Sequence, residues 1–144
     1  MRFWMAISFV VALVTCSAMA KDAPLRGLNS ESEATAWRAV GRLNIGSSSF
    51  CTGTLIASDI VLTAGHCLFD KATGTRVSDS DIEFLAGWRS GRASAHRTVR
   101  RALVHPDFAF DTEFSTGVMI NDLALLELEY PILDEQIAPF ATTE

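Results

Sequence analysis

From Trp37 onward the chain is written in short runs whose apolar residues alternate with polar or small ones, each run ended by turn residues. Trp37–Ile45 alternates as a half-buried strand does, Gly46-Ser47-Ser48-Ser49 breaks it, and Phe50–Ala57 resumes in extended form. Ser58-Asp59 forms a second turn before the buried-type run Ile60–Ala64. Further runs occupy Ile82–Trp88, Ala93–His105 and Asp122–Leu128, separated by the polar loop Lys71–Asp81 and by Pro106–Asn121. No amphipathic helix of ordinary length and no internal repeat interrupts them. Six short strands in roughly 100 residues predict an all-β, antiparallel domain. A period of two cannot by itself choose between a barrel and a sandwich.

The N-terminus follows another rule. Arg2 precedes an apolar stretch, Phe3–Val14, and small residues follow through Ser17-Ala18-Met19-Ala20. A basic start, an apolar centre and an Ala-x-Ala exit predict a signal peptide over residues 1–20, cleaved near Ala20, and a secreted or periplasmic protein. A membrane anchor and lipid attachment at Cys16 are the alternatives. Residues 21–35 are polar, with Pro24 and Gly27, and read as a leader or propeptide-like arm. The domain proper is expected over 36–144.

Charge narrows the function classes. The formal net charge is −5, which offers no electrostatic footprint for nucleic acid. Removal of residues 1–20 leaves Cys51 and Cys67 as the cysteines, a natural disulfide pair in an oxidising compartment, with two buried thiols as the alternative. Three histidines and two cysteines without paired-ligand spacing do not suggest a zinc site. The acidic run Asp79-Ser80-Asp81-Ile82-Glu83 contains oxygen ligands of the kind calcium takes, but a solvated loop accounts for it as well. No metal or cofactor is therefore expected.

Three segments carry chemistry: Phe50-Cys51-Thr52-Gly53-Thr54-Leu55-Ile56-Ala57, Val61-Leu62-Thr63-Ala64-Gly65-His66-Cys67, and Asn121-Asp122-Leu123-Ala124-Leu125-Leu126. In this order, in an exported chain, they resemble the trypsin/chymotrypsin-like serine proteases, here of an exported, bacterial type. The resemblance runs from about Trp37 to Pro139. It implies a six-stranded antiparallel barrel, the first half of a two-barrel fold. It also implies that His66 is the general base and Asp122 the carboxylate that orients it, with the Cys51–Cys67 bridge pinning the histidine's turn.

The family's Gly-Asp-Ser-Gly-Gly segment, which carries the nucleophilic serine and the oxyanion hole, has no counterpart among the 144 residues. Ser47, Ser48 and Ser49 lie in a turn ahead of the histidine and are rejected as nucleophiles. The expectation is an incomplete, N-terminal part of a serine endopeptidase, inactive alone, whose complete form takes protein or peptide substrates. Exposed apolar surface on the face between the barrels would favour self-association. A different class, a secreted non-catalytic β-barrel module derived from a protease, is the alternative.

Smaller features fit around this frame. His96 is expected on a solvated strand face, His105 in a structural His-Pro turn, and Arg100-Arg101 in an exposed strand pair. A cut after Arg26 would expose Gly27-Leu28-Asn29, a poor match to the family's Ile-Val-Gly-Gly start. The interval from His66 to Asp122 is somewhat long for the family, with the excess placed in 107–121, where loop length costs little closure entropy. Gly65 stands where alanine is usual.

Overall fold

A computed structural model describes residues 26–111 and 120–143. The signal-peptide and Cys16 readings lie outside these residues, as does most of the lengthened 107–121 interval.

Six strands form: β1 (Val40–Ile45), β2 (Ser49–Ala57), β3 (Ile60–Thr63), β4 (Ile82–Ala86), β5 (Ala95–Val104) and β6 (Ala124–Leu128). They pair antiparallel throughout and close in the order β1-β2-β3-β6-β5-β4. Closure settles the choice between barrel and sandwich, and it removes every free sheet edge. Register shifts between Leu55 and Ala57 and between Val99 and Arg101 mark bulges in β2 and β5. Such bulges bend a strand and sharpen its twist, which a six-stranded closure requires.

Alternation along each strand fills the interior. Leu43, Leu55, Val61, Ile82, Phe84, Val99, Leu126 and Leu128 are all buried, and Ile132 and Ile137 add to the same core from the segment after β6. That segment is tied to the barrel by Ile132 N–H donating to Ser58 O at 2.7 Å and Phe140 N–H to Leu55 O at 2.9 Å. Gly41 lets β1 approach β4: a Cβ there would stand 2.3 Å from Leu85 O and 2.9 Å from Ala86 Cα. Backbone atoms cannot yield to it, so only glycine fits without shifting a strand.

The first strand begins at Val40, later than the alternation from Trp37 suggests. Ser30 caps a short helix, α1 (Glu31–Thr35), in a capping box with Glu33, and turn bonds from Trp37 N–H to Ala34 O and Val40 N–H to Trp37 O carry the coil onward. Local capping therefore outcompetes the strand pattern for these residues. The arm lies against the barrel through arginines: Arg89 donates to Leu28 O at 2.8 Å and Ser30 O at 3.1 Å, while Arg38 meets Glu31 at 2.6 Å.

Candidate active site

Sheet register brings the sequence-distant motifs together. Strands β3 and β6 are neighbours, with Thr63 opposite Ala124. Just past Thr63 the chain tightens into a 3-10 turn, Gly65–Leu68, which carries His66; Asp122 lies just before Ala124 on the facing strand. Two residues 56 apart in sequence thus meet at one rim of the barrel.

Asp122 holds His66 at two points. Its Oδ1 accepts the His66 backbone N–H at 2.7 Å, and its Oδ2 lies 2.6 Å from the ring Nδ1. An ionised carboxylate only accepts, so the ring proton belongs on Nδ1 and the lone pair on Nε2. Both side chains are partly exposed, 29% for His66 and 20% for Asp122, so the pair is anchored yet reachable. Charge-assisted bonds of this kind are short and roughly twice as strong as neutral ones.

The disulfide secures the turn from the other side. Cys51 and Cys67 are bonded, and Cys67 directly follows His66, so the turn is stapled to β2. Thr63 adds a bond across the same pair of strands, its Oγ1 donating to Thr52 O at 2.9 Å. Cys67 Sγ also stands 3.7 Å from His66 Nε2.

An aromatic cluster under the turn escapes the sequence reading. Phe69 stacks on Phe110 with centroids 4.9 Å apart and tilts toward Phe108 at 6.0 Å. A Cβ on Gly65 would come within 3.2 Å of Phe108 and of Val104, so the glycine makes room for Phe108 against the histidine's turn. Phe108 and Phe110, at alternate positions just after the His-Pro turn, are the available signal.

The remaining singled-out residues fall elsewhere. His96 lies on β5, facing Glu83 at 3.4 Å, and His105 Nδ1 accepts Asp107 N–H at 3.2 Å in the His-Pro turn. Arg100 and Arg101 sit on β5, both paired with Glu127. In the acidic run, Asp79 Oδ2 accepts Ala102 N–H at 3.1 Å, and its Oδ1 touches Arg76 at 2.8 Å without the alignment of a hydrogen bond. Glu83 accepts from Asn44, so these carboxylates point to separate partners. Among the described residues the cluster with metal-ligand character is Cys51, His66 and Cys67. A groove of about 880 Å³ opens away from this rim, between the arm and the β4–β5 turn, lined by Trp37, Arg38, Trp88 and Arg89 among others. No histidine lines it, so the candidate chemistry is placed by side-chain geometry and not by this groove.

The closed six-stranded antiparallel barrel, with a carboxylate-bound histidine and a neighbouring disulfide at one rim, agrees with the fold that the sequence motifs imply. The family model described as Trypsin matches residues 28–144, and the chain belongs to the trypsin family. It is 34% identical over 91 residues to "Trypsin" of Phaedon cochleariae, covering 62% of this chain and 32% of that protein. It is 32% identical over 108 residues to "Mannan-binding lectin serine protease 1" of Mus musculus, covering 66% of this chain and 14% of the relative. The chain thus spans about a third or less of these curated relatives. Both are animal proteins, and the bacterial-type assignment finds no support. Among solved structures, a scabies mite inactivated protease paralogue aligns with a TM-score of 0.52 at 22% identity, over 71% of this chain and 39% of that one. That likeness concerns the fold.

Proposed function

We propose that this chain supplies the general base, His66, and its orienting carboxylate, Asp122, to an exported serine endopeptidase acting on protein or peptide substrates. The observation that carries the reading is the double hold of Asp122 on His66, which fixes one tautomer and one ring orientation. A base that must receive a proton and then return it needs both. Nε2 takes the proton of a nucleophilic hydroxyl as it attacks the scissile carbonyl; Asp122 stabilises the imidazolium; Nε2 then protonates the leaving amine. Within these 144 residues no Gly-Asp-Ser-Gly segment accompanies the pair, so the nucleophile and the oxyanion donors come from elsewhere in the complete enzyme. Export follows the signal-like segment 1–20, and the Cys51–Cys67 disulfide suits an oxidising compartment.

The second reading, a non-catalytic module, draws on the structural neighbour, which is described as an inactivated protease paralogue. Exposed Leu103, Leu123 and Leu125 near the β5–β6 rim would then serve association with a partner or another copy.

Proton NMR of the chain should show a strongly deshielded His66 Nδ1 proton that vanishes in Asp122→Asn. In the complete enzyme the same substitution should lower kcat by about 10⁴-fold, the scale known for the Ser-His-Asp template, with a much smaller change in KM. A serine-directed phosphonate probe should leave the isolated 144-residue chain unlabelled. Labelling of that chain, or full activity in Asp122→Asn, would overturn the assignment.

A further inference from the structure

We propose that reductive opening of the Cys51–Cys67 disulfide creates a soft-metal site, with Cys51 Sγ, Cys67 Sγ and His66 Nε2 as three ligands to zinc or a divalent metal of similar softness. The three ligand atoms already lie within 4.8 Å of one another. A tetrahedral zinc, with bonds of about 2.3 Å to sulfur and about 2.0 Å to nitrogen, holds its ligand atoms roughly 3.5–3.8 Å apart. The 3.7 Å separation of Cys67 Sγ from His66 Nε2 falls in that range without rearrangement. Once the covalent bond is cut, the two sulfurs have to part by a little under about 2 Å, with Cys51 Sγ, now within 4.8 Å of Nε2, drawing in to the same spacing.

Two further observations support the site. A metal-binding imidazole usually donates its other N–H to a carboxylate, which fixes the ring and raises its basicity. Here Asp122 Oδ2 stands 2.6 Å from Nδ1, so Nε2 is the nitrogen turned to the sulfurs. Access is also present, since Cys51 and His66 are half-buried rather than sealed. Sequence spacing hides the arrangement because β2 and the 3-10 turn bring Cys51 beside a contiguous His66-Cys67 pair, unlike the paired-ligand spacings of common zinc motifs.

The chemistry balances simply. A dithiol reductant passes two electrons and two protons to the disulfide and closes its own disulfide, leaving two thiols on the protein. Metal binding expels both thiol protons, and each thiolate and Nε2 contribute one electron pair. A fourth position stays open to water. Occupancy takes Nε2 from proton transfer, so reduction plus zinc would silence the base. That consequence rests on the catalytic reading of His66; the metal site does not.

Cobalt(II) tests the site alone. The chain carrying Cys16→Ser is titrated with cobalt before and after reduction by a water-soluble phosphine, which takes an oxygen from water to become its oxide. The reduced chain should develop thiolate-to-cobalt charge transfer and the intense visible bands of a tetrahedral centre, both erased by zinc; the oxidised chain should show neither. His66→Gln should weaken binding at least about tenfold, and Asp122→Asn by about 10–100-fold. Far-UV circular dichroism of the reduced, zinc-loaded chain should match the oxidised β spectrum. An unchanged affinity in both variants, a missing charge-transfer band, or a zinc-loaded chain lacking β structure would each overturn the proposal.

Discussion

Two regions at the barrel's surface are held by different means. At the His66 rim, a disulfide and a two-point carboxylate bind the turn to strand β2 and to the segment that leads into β6. At the arm, arginine side chains at the surface do the holding: Arg89 grips the carbonyls of Leu28 and Ser30, and the half-buried Arg38 meets Glu31, whose side chain is 75% exposed. Exposed ion pairs are screened by water and salt and contribute little, whereas a covalent cross-link restricts the unfolded chain whatever the solvent. Rigidity is concentrated where ring orientation matters, and the arm is attached by contacts that can exchange.

The contrast is broken most directly by removing the bridge. The double variant Cys51→Ser/Cys67→Ser should lose about 3 kcal/mol of unfolding free energy, the scale for a bridge across a separation of 16 residues. Denaturant midpoints with an unchanged m-value would measure it. A loss no larger than that of an arm variant would show that the rim's packing, Phe69 and Phe108 included, holds the turn without the cross-link.

Much of the rim is readable in the sequence because its parts are local signals: a cysteine before one strand, a histidine and cysteine closing another, an aspartate opening a third. Those short segments state which residues meet, since the β3–β6 register then brings His66 and Asp122 together. Barrel closure is not readable from alternation, because inward and outward residues alternate equally in a barrel and a sandwich. Alternation misplaces the strand start at Trp37–Ala39, where a capping box at Ser30 and Glu33 sets a turn that the period of two does not register. Arg89 leaves no signal either, for an exposed arginine reaching backbone carbonyls 59 and 61 residues away has no pattern in the chain. Phe108 is hidden in a loop without regular apolar spacing, so no periodicity marks it as packed.

Arg89→Ala sharpens the comparison from the arm's side. Its expected cost is below about 1 kcal/mol, because the contacts are exposed. Limited proteolysis should nonetheless speed up within residues 26–39, and added salt should loosen the wild-type arm in the same direction. The deshielded His66 proton should not move. A loss approaching that of the cysteine variant, or a shift of that proton, would mean that the arm and the rim unfold as one unit.

The smallest effect lies just beyond the histidine's turn, where the loop after Phe69 closes on Asp70. Its Oδ1 accepts the Thr73 N–H at 2.8 Å, the Thr73 hydroxyl at 3.0 Å and the Ala72 N–H at 3.0 Å. These bonds, the Thr73 backbone foremost, favour the ionised form and hold the carboxyl below its ordinary value. A carboxyl lowered in the folded state stabilises the fold above its unfolded pKa of about 3.9 and loses that contribution as pH falls through the lower, folded value. The Thr73 amide resonance should therefore titrate with a midpoint below about 3.9, and Asp70→Asn should remove that titration and flatten the acid limb of the stability curve. Because Asp70 is fully exposed, this dependence should be slight beside the loss of the bridge. A midpoint at the ordinary carboxyl value would show that the Asp70–Thr73 bonds do not persist in solution. The firm hold would then end with the His66 turn and the phenylalanines packed beneath it.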